Sequence, residues 1–263
     1  MITKALESDR LDIIEVLKRN IFDNVYLYID VITCWPKSDF VSVWISREDG
    51  ELTKLVLKYY NSFQIYVSDG GVQDYTDIAQ LVASHQPAMV SGKADVIQNL
   101  LPHVKSMYKE TYGVVLTQSP IKWDKVTITP ELATTDDMEE IALLICSDKG
   151  IGGHYDPLEL KEQLIKRHND KFGRNYVIRQ DGKIVAHYGT YAEAPGIAVM
   201  GGLIVSPDYR GNGYGQLLHS YLTNILIDEN MKPVLFCHDE TVLNMYLRFG
   251  AHICSRYGKL TLI

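Results

Sequence analysis

The sequence predicts an α/β chain made of two similar halves, on three observations. Strand-like apolar runs alternate with stretches of helical period along the 263 residues. The hairpin Trp44-Ile-Ser-Arg-Glu-Asp-Gly-Glu-Leu52 lies over Tyr176-Val-Ile-Arg-Gln-Asp-Gly-Lys-Ile184, with Arg, Asp and Gly shared. Both halves then continue in the order β-hairpin, β, α, β, α, β. At about 100–200 residues per domain, the length suits two such units. A composition of 46% hydrophobic and 22% charged residues is that of a globular chain, not a disordered, collagenous or coiled-coil one.

In the first half a helix at residues 10–19 precedes strands at 25–31 and 41–46. The Asp49-Gly50 turn joins the second of these to a strand at 52–59, and 63–68 follows. Then come a helix at 75–84, a strand at 88–91, a helix at 94–108 and a strand at 112–117. The polar stretch 118–124, with Pro120, reads as a linker between domains at 1–118 and 125–263.

The second half opens with a strand at 126–128 and a helix whose N-cap is Asp136, with Glu139 completing a capping box ahead of the apolar run 141–145. A Gly-rich loop at 149–156 leads through Pro157 into a helix at 158–168. The Asp181-Gly182 turn marks a hairpin of strands at 176–179 and 183–191. Residues 197–205 form a continuously apolar, doubly buried strand. Leu217, Leu218, Tyr221, Leu222, Ile225 and Leu226 stripe an amphipathic helix at 213–229. A strand at 234–237, a helix at 241–249 ending at Gly250, and strand at 252–263 complete the half.

Several classes of function are disfavoured. The longest apolar runs, such as 200–205, fall far short of the roughly 20 residues that span a bilayer. The first ten residues carry charges and no apolar h-region, so a secretory signal is not expected. Cys34, Cys146, Cys237 and Cys254 are scattered, which argues against a zinc site or a disulfide framework. A net charge of −7 disfavours a general nucleic-acid binder. The expectation is a cytoplasmic protein with no metal and no membrane or nucleic-acid partner.

The informative stretch is Leu203-Ile-Val-Ser-Pro-Asp-Tyr-Arg-Gly-Asn-Gly-Tyr-Gly-Gln-Leu-Leu218. A buried strand ends, glycines at 211, 213 and 215 clear the backbone, and a helix starts at once. The first N–H groups of that helix lack intrahelical partners and carry the positive end of its dipole. With the Arg210 guanidinium they form a phosphate cradle. A dinucleotide fingerprint is disfavoured by Gln216, and no Gly-Lys-Ser/Thr of a Walker loop is present.

Arg210, Gly213 and Gly215 in the spacing Arg-x-x-Gly-x-Gly, after Val205-Ser-Pro, resemble the acyl-CoA pyrophosphate loop of the GNAT superfamily of N-acetyltransferases. Asp239-Glu-Thr-Val-Leu-Asn-Met-Tyr-Leu-Arg-Phe-Gly250 looks like that family's later motif. The resemblance covers about residues 125–263. It implies tandem GNAT-like domains, each a mixed, mostly antiparallel twisted sheet flanked by helices, with acetyl-CoA or another acyl-CoA as co-substrate. Arg210, Gly211, Asn212, Gly213, Tyr214 and Gly215 would hold the pyrophosphate, Ile204 and Val205 would meet the pantetheine arm, and Asp239 would add a contact. Asp239 stands where the family often has Asn.

The reaction implied is direct attack of an amine on the thioester in a ternary complex, with Tyr246 as the acid that protonates the leaving thiolate. Many relatives have a Glu on the strand before the cradle; Ala198-Val-Met-Gly-Gly-Leu-Ile204 contains no carboxylate. Glu193, expected to be solvated, His187 and His238 are the substitutes for a base. Cys237 reads as a buried structural thiol, and His154 and Tyr155 are acceptor-loop candidates. The first half has Asp69-Gly-Gly-Val-Gln-Asp74 where a cradle would be, with no Arg and two acids. It reads as a degenerate copy that packs on the second half, with Trp35 and Trp44 in its core. The layout is similar to glycine N-acyltransferase-like members, which points to a small-molecule amine or amino-acid acceptor and a monomer or homodimer. A catalytically inactive acyl-CoA-binding regulator, and acetylation of a protein or peptide amine, are the alternatives.

Overall fold

A computed structural model describes residues 2–69, 74–123, 127–153 and 155–263. The chain divides into two compact units. Unit 1 comprises Met1–Val115, Phe236–Asn244 and Ile253–Ile263, and unit 2 comprises Leu116–Leu235 and Met245–His252.

Unit 1 contains β1 (Thr3–Lys4), α1 (Arg10–Arg19), α2 (Val25–Thr33), β2 (Val41–Glu48), β3 (Glu51–Tyr59), β4 (Ser62–Val67), α3 (Thr76–His85), β5 (Met89–Lys93), α4 (Ala94–Leu100) and β6 (Ser106–Leu116). β1 to β4 pair antiparallel in sequence order, β4 pairs parallel with β5, and β5 pairs antiparallel with the C-terminal strand. Trp44 packs on Phe63 and His85 beside a core of Val56, Ile65, Ile78 and Leu260, and Trp35 is buried.

Unit 2 contains β7 (Glu131–Leu132), α5 (Met138–Cys146), α6 (Pro157–Asn169), β8 (Asn175–Gln180), β9 (Lys183–Ala194), β10 (Ile197–Val205), α7 (Tyr214–Asp228) and most of β11 (Lys232–Cys237). β7 to β10 pair antiparallel, and β10 pairs parallel with β11. Each unit thus runs a three-strand meander, a helix and a parallel strand, as the hairpin alignment anticipated. Val177 faces the core that α5 and α6 build with Ile184 and Ile204, whereas its neighbour Tyr176 meets Tyr221 of α7. Successive strand residues point to opposite faces, so these helices cover the two sides of the meander.

Five expectations are corrected. Residues 25–31 are helix, not strand: the run, apolar but for Asp30, is buried at Val25, Leu27, Tyr28, Ile29, Asp30 and Val31, and such a run does not distinguish a buried strand from a buried helix. The helix expected at 94–108 stops at Leu100, because Pro102 has no N–H to continue it, and β6 follows. The first helix of unit 2 is preceded by a turn capped by Thr134 with Asp137, not by Asp136 with Glu139. Of the strand expected at 126–128, Val126 lies outside the described residues and Thr127 and Ile128 are not in a strand. The remaining two elements are α8 (Glu240–Arg248) and β12 (His252–Leu262). β12 belongs to unit 1 rather than closing the second half, because its ladder partner is β5, with Tyr257 opposite Lys93 and Thr261 opposite Met89.

Candidate active site

The loop expected to hold a phosphate lies where β10 ends. Pro207–Tyr209 make one tight turn, Arg210 is extended, and Gly213 starts α7. Gly211 and Gly213 have φ of 83° and 82°, in the left-handed region that side chains with a Cβ avoid. The space beside Gly211 is open, with nothing within 4 Å of where a Cβ would be. Leu217 N–H is the first of α7 with a helical partner, the Gly213 carbonyl at 3.0 Å. Among the described residues, the N–H groups of Tyr214, Gly215 and Gln216 have no protein acceptor, and no side chain caps the helix. Three donors and the positive helix end therefore face one spot, an arrangement that suits an anion.

Arg210 is half exposed. Its Nε donates to the Val205 carbonyl at 3.1 Å and its Nη2 to Asp148 Oδ2 at 3.0 Å. Asp148 Oδ1 also accepts from Gly150 and Ile151 N–H, at 2.9 and 3.2 Å. Burial pulls the Asp148 pKa upward, but those amides and the guanidinium outweigh it and hold the carboxyl below its usual range. One carboxylate thus ties the Arg210 loop to the loop after α5. Asp-x-Gly, an Asx-turn pattern, was the sequence signal for half of this role; nothing local signalled its bond to residue 210.

β10 is the second component. Its pairing with β11 covers only Ile197–Val199, so from Met200 to Val205 it is paired on the β9 side alone. Two bulges flank Gly201. Tyr191 is the extra residue on β9, between the pairs Ala192–Val199 and Thr190–Met200, and β10 has one extra residue between Gly201 and Ile204. Among the described residues the edge from Met200 to Val205 has no strand partner on the β11 side, and at its end the Val205 carbonyl accepts from Arg210 Nε.

Tyr246, on α8, is buried, and its ring meets His219 of α7 edge-on at 4.8 Å. His219 is itself buried, with neither ring nitrogen hydrogen-bonded, and burial lowers its pKa to about 4. Asp239 Oδ1 accepts from Val242 N–H at 2.9 Å and so caps α8. His238 lies in the unit 1 portion of the chain, edge-on to Tyr112 at 5.2 Å. Cys237 is buried, and burial pushes its thiol pKa up, as suits an inert thiol.

Two base candidates have other partners. Glu193 is not solvated: Arg174 holds it through Nε and Nη2, at 2.9 and 2.8 Å, and Thr190 donates to it. His187 is fully buried, with Nδ1 2.8 Å from the Gly202 carbonyl oxygen and Nε2 2.9 Å from Asn175 Oδ1. Burial lowers its pKa to about 4, so the ring is neutral at pH 7 and its single N–H serves one of these two oxygens. It anchors the bulge of β10 and is not placed to take a proton. Tyr155 is partly exposed at the end of the tight loop after α5, and His154 lies outside the described residues. Among the described residues no group of three or more His, Cys, Asp or Glu could hold a metal, and no helix is long and apolar enough to cross a membrane.

Comparison with known proteins bears on the fold. Residues 138–251 match the model of the acetyltransferase (GNAT) family. The fold resembles an acetyltransferase of the GNAT family from Colwellia psychrerythraea, with 13% identity, a TM-score of 0.61 and 100% of both chains covered. It also resembles a tandem GNAT protein from the clavulanic acid biosynthesis pathway, with 11% identity, a TM-score of 0.62, and 99% of this chain and 97% of that one covered. A Drosophila protein superposes with 12% identity and a TM-score of 0.66, over 100% and 98% of the two chains. No curated protein matches. The fold is therefore a tandem GNAT-like one, with mixed sheets flanked by helices.

Proposed function

We propose that the protein is an acyl-CoA-dependent N-acyltransferase, most simply an acetyltransferase, acting on an amine of a small molecule or amino acid. The observation that carries this reading is the uncapped start of α7 directly after the half-paired end of β10. The N–H groups of Tyr214, Gly215 and Gln216 would receive the pyrophosphate, with Arg210 moving from Asp148 onto it. Gly211, Asn212 and Gly213 give the approach, and Ile204 and Val205 would pair with the pantetheine amides. Asp239 is engaged as the cap of α8 and is not assigned a ligand contact.

In the transfer, the amine nitrogen attacks the thioester carbon, the C–N bond forms and the C–S bond breaks. Tyr246 would donate its hydroxyl proton to the departing thiolate. An alkylammonium has a pKa near 10, so one proton must leave it before attack, and a second leaves the nitrogen as the amide forms, balancing the one that Tyr246 gives to sulfur. Glu193 is held by Arg174 and His187 is buried, so neither is assigned to take a proton from the amine. The test is a thermal-shift titration with acetyl-CoA followed by thiol release across an amine panel. The expected result is stabilisation by mass action together with release for one amine class. Stabilisation without release would favour a regulatory acyl-CoA binder, the reading that the carboxylate-free β10 supports. No stabilisation would overturn the cradle.

A further inference from the structure

The acceptor's charge is legible in one arginine, given the acyl-transfer reading above. Arg174, Arg179 and Arg210 each hold carboxylates: Glu193 and Glu229, Glu131 and Asp137, and Asp148. Arg167 of α6 differs. Its guanidinium stands over the Tyr191 ring, 5.2 Å from the centroid, and Nη2 donates to Gln163 Oε1 at 3.3 Å. Among the described residues it has no carboxylate partner, and Nε and Nη1 meet no acceptor. The side chain is half-buried and held by neutral groups, and its charge is left uncompensated in a protein of net charge −7. A place in the last turn of α6 suits a cation but does not account for the stacking.

Tyr191 fixes where that cation stands. As the extra residue of the β9 bulge, its ring lies on Gly201, where a Cβ would come within 2.3 Å of it. A Cβ on Gly202 would lie 3.1 Å from its hydroxyl. Both glycines belong to the half-paired stretch of β10 that leads into the cradle. Burial pushes the Tyr191 pKa up to about 12, so the phenol is neutral at pH 7. Arg167 and Tyr191 therefore stand together beside the strand assigned to the thioester.

We infer that Arg167 selects the acceptor, and that the acceptor is an amine carrying a carboxylate. The planar guanidinium matches a carboxylate with two parallel hydrogen bonds, and stacking on Tyr191 reduces the side-chain freedom lost on binding. The carboxylate sits on Arg167, the rest of the molecule lies along the Tyr191 ring, and the amine faces β10.

Steady-state thiol release from acetyl-CoA with paired acceptors tests this: glycine against glycinamide, and phenylalanine against phenethylamine. The wild type should favour the carboxylate member of a pair in kcat/KM. Arg167→Gln should lower kcat/KM for that member by roughly 10–100-fold, the range for a hydrogen bond to a charged group, mostly through KM. It should leave the neutral amine and the acetyl-CoA KM unchanged, and Arg167→Lys should recover part of the loss. Release with neutral amines and no preference for the carboxylate, or an equal loss on both members in Arg167→Gln, overturns the inference while leaving acyl transfer standing. No release from any acceptor overturns both.

Discussion

The two units start the helix after their meander in opposite ways. In unit 1, Asp74 accepts from Thr76 N–H and Asp77 from Ile78 N–H, so carboxylates close the start of α3. Asp77 also pairs with Lys54, and Lys93, at the end of β5, is surrounded by Asp23, Asp69 and Asp95. In unit 2, Gly213 stands at the corresponding start, no side chain caps α7, and the nearby cation is half exposed. The same topology thus produces a closed helix end in one unit and an open one in the other. The difference lies in whether carboxylates take up the helix-start donors, since both cations are paired and Arg210 is the more exposed of the two.

The comparison breaks if closing unit 2 has no effect. Arg210→Ala combined with Gly213→Asp should abolish CoA binding in a calorimetric titration while circular dichroism stays native. The second change puts a carboxylate at the donors and strains a position with φ of 82°. Unchanged affinity would mean the open start is only a turn. Tyr246→Phe asks whether the open unit reacts or merely binds. It should lower kcat by about 10²–10⁴ at unchanged CoA affinity if the phenol is the acid, and a full-rate variant would return it to core packing.

A pH series sharpens the contrast because the buried titratable groups of the two units respond with opposite sign. Desolvation raises the pKa of Asp30, which accepts from Gln64 in unit 1, to about 7. Its folded state therefore holds a proton that the unfolded chain loses near 3.8, and it costs stability as pH rises from about 4 to 7. His187 and His219 in unit 2 have pKa values lowered to about 4, so the unfolded chain gains protons first and stability is lost as pH falls from about 6.5 to 4. Hydrogen exchange resolved by segment should show unit 2 losing protection on acidification, and Asp30→Asn should raise the melting temperature at pH 7 but not at pH 4. The same sign in both units would contradict these burials.

Two smaller effects follow. Asp148→Asn frees Arg210 from a partly exposed pair and should tighten CoA binding about two- to five-fold, an effect that fades in high salt. Asp74→Ala should lower the melting temperature slightly and create no CoA binding in unit 1, whose start of α3 still carries Asp77. Binding there would show that capping alone separates the units.

What the sequence showed well was local. Residues 197–205 and the Arg210 to Gly215 turn match the structure because glycine conformation and strand burial are encoded within a few residues. The pairing of Glu193 with Arg174, 19 positions away, and the bond of His187 to Gly202 across a bulge, left no local signature. The helical state of residues 25–31 was hidden because burial on all sides erases the period that separates helix from strand. β12 was assigned to the wrong unit because strand pairing is set by partners 160 or more residues away, not by chain order.

The half-paired stretch of β10 also bears on how the protein should be handled. A strand with one edge unpaired is a template on which another chain can add. Met200 to Val205 is also among the most apolar runs of the sequence. The backbone groups that would receive an extended cofactor are thus the same ones that invite self-association in its absence. Saturating acyl-CoA should then act as a solubiliser, slowing aggregation on warming by more than the rise in melting temperature alone accounts for.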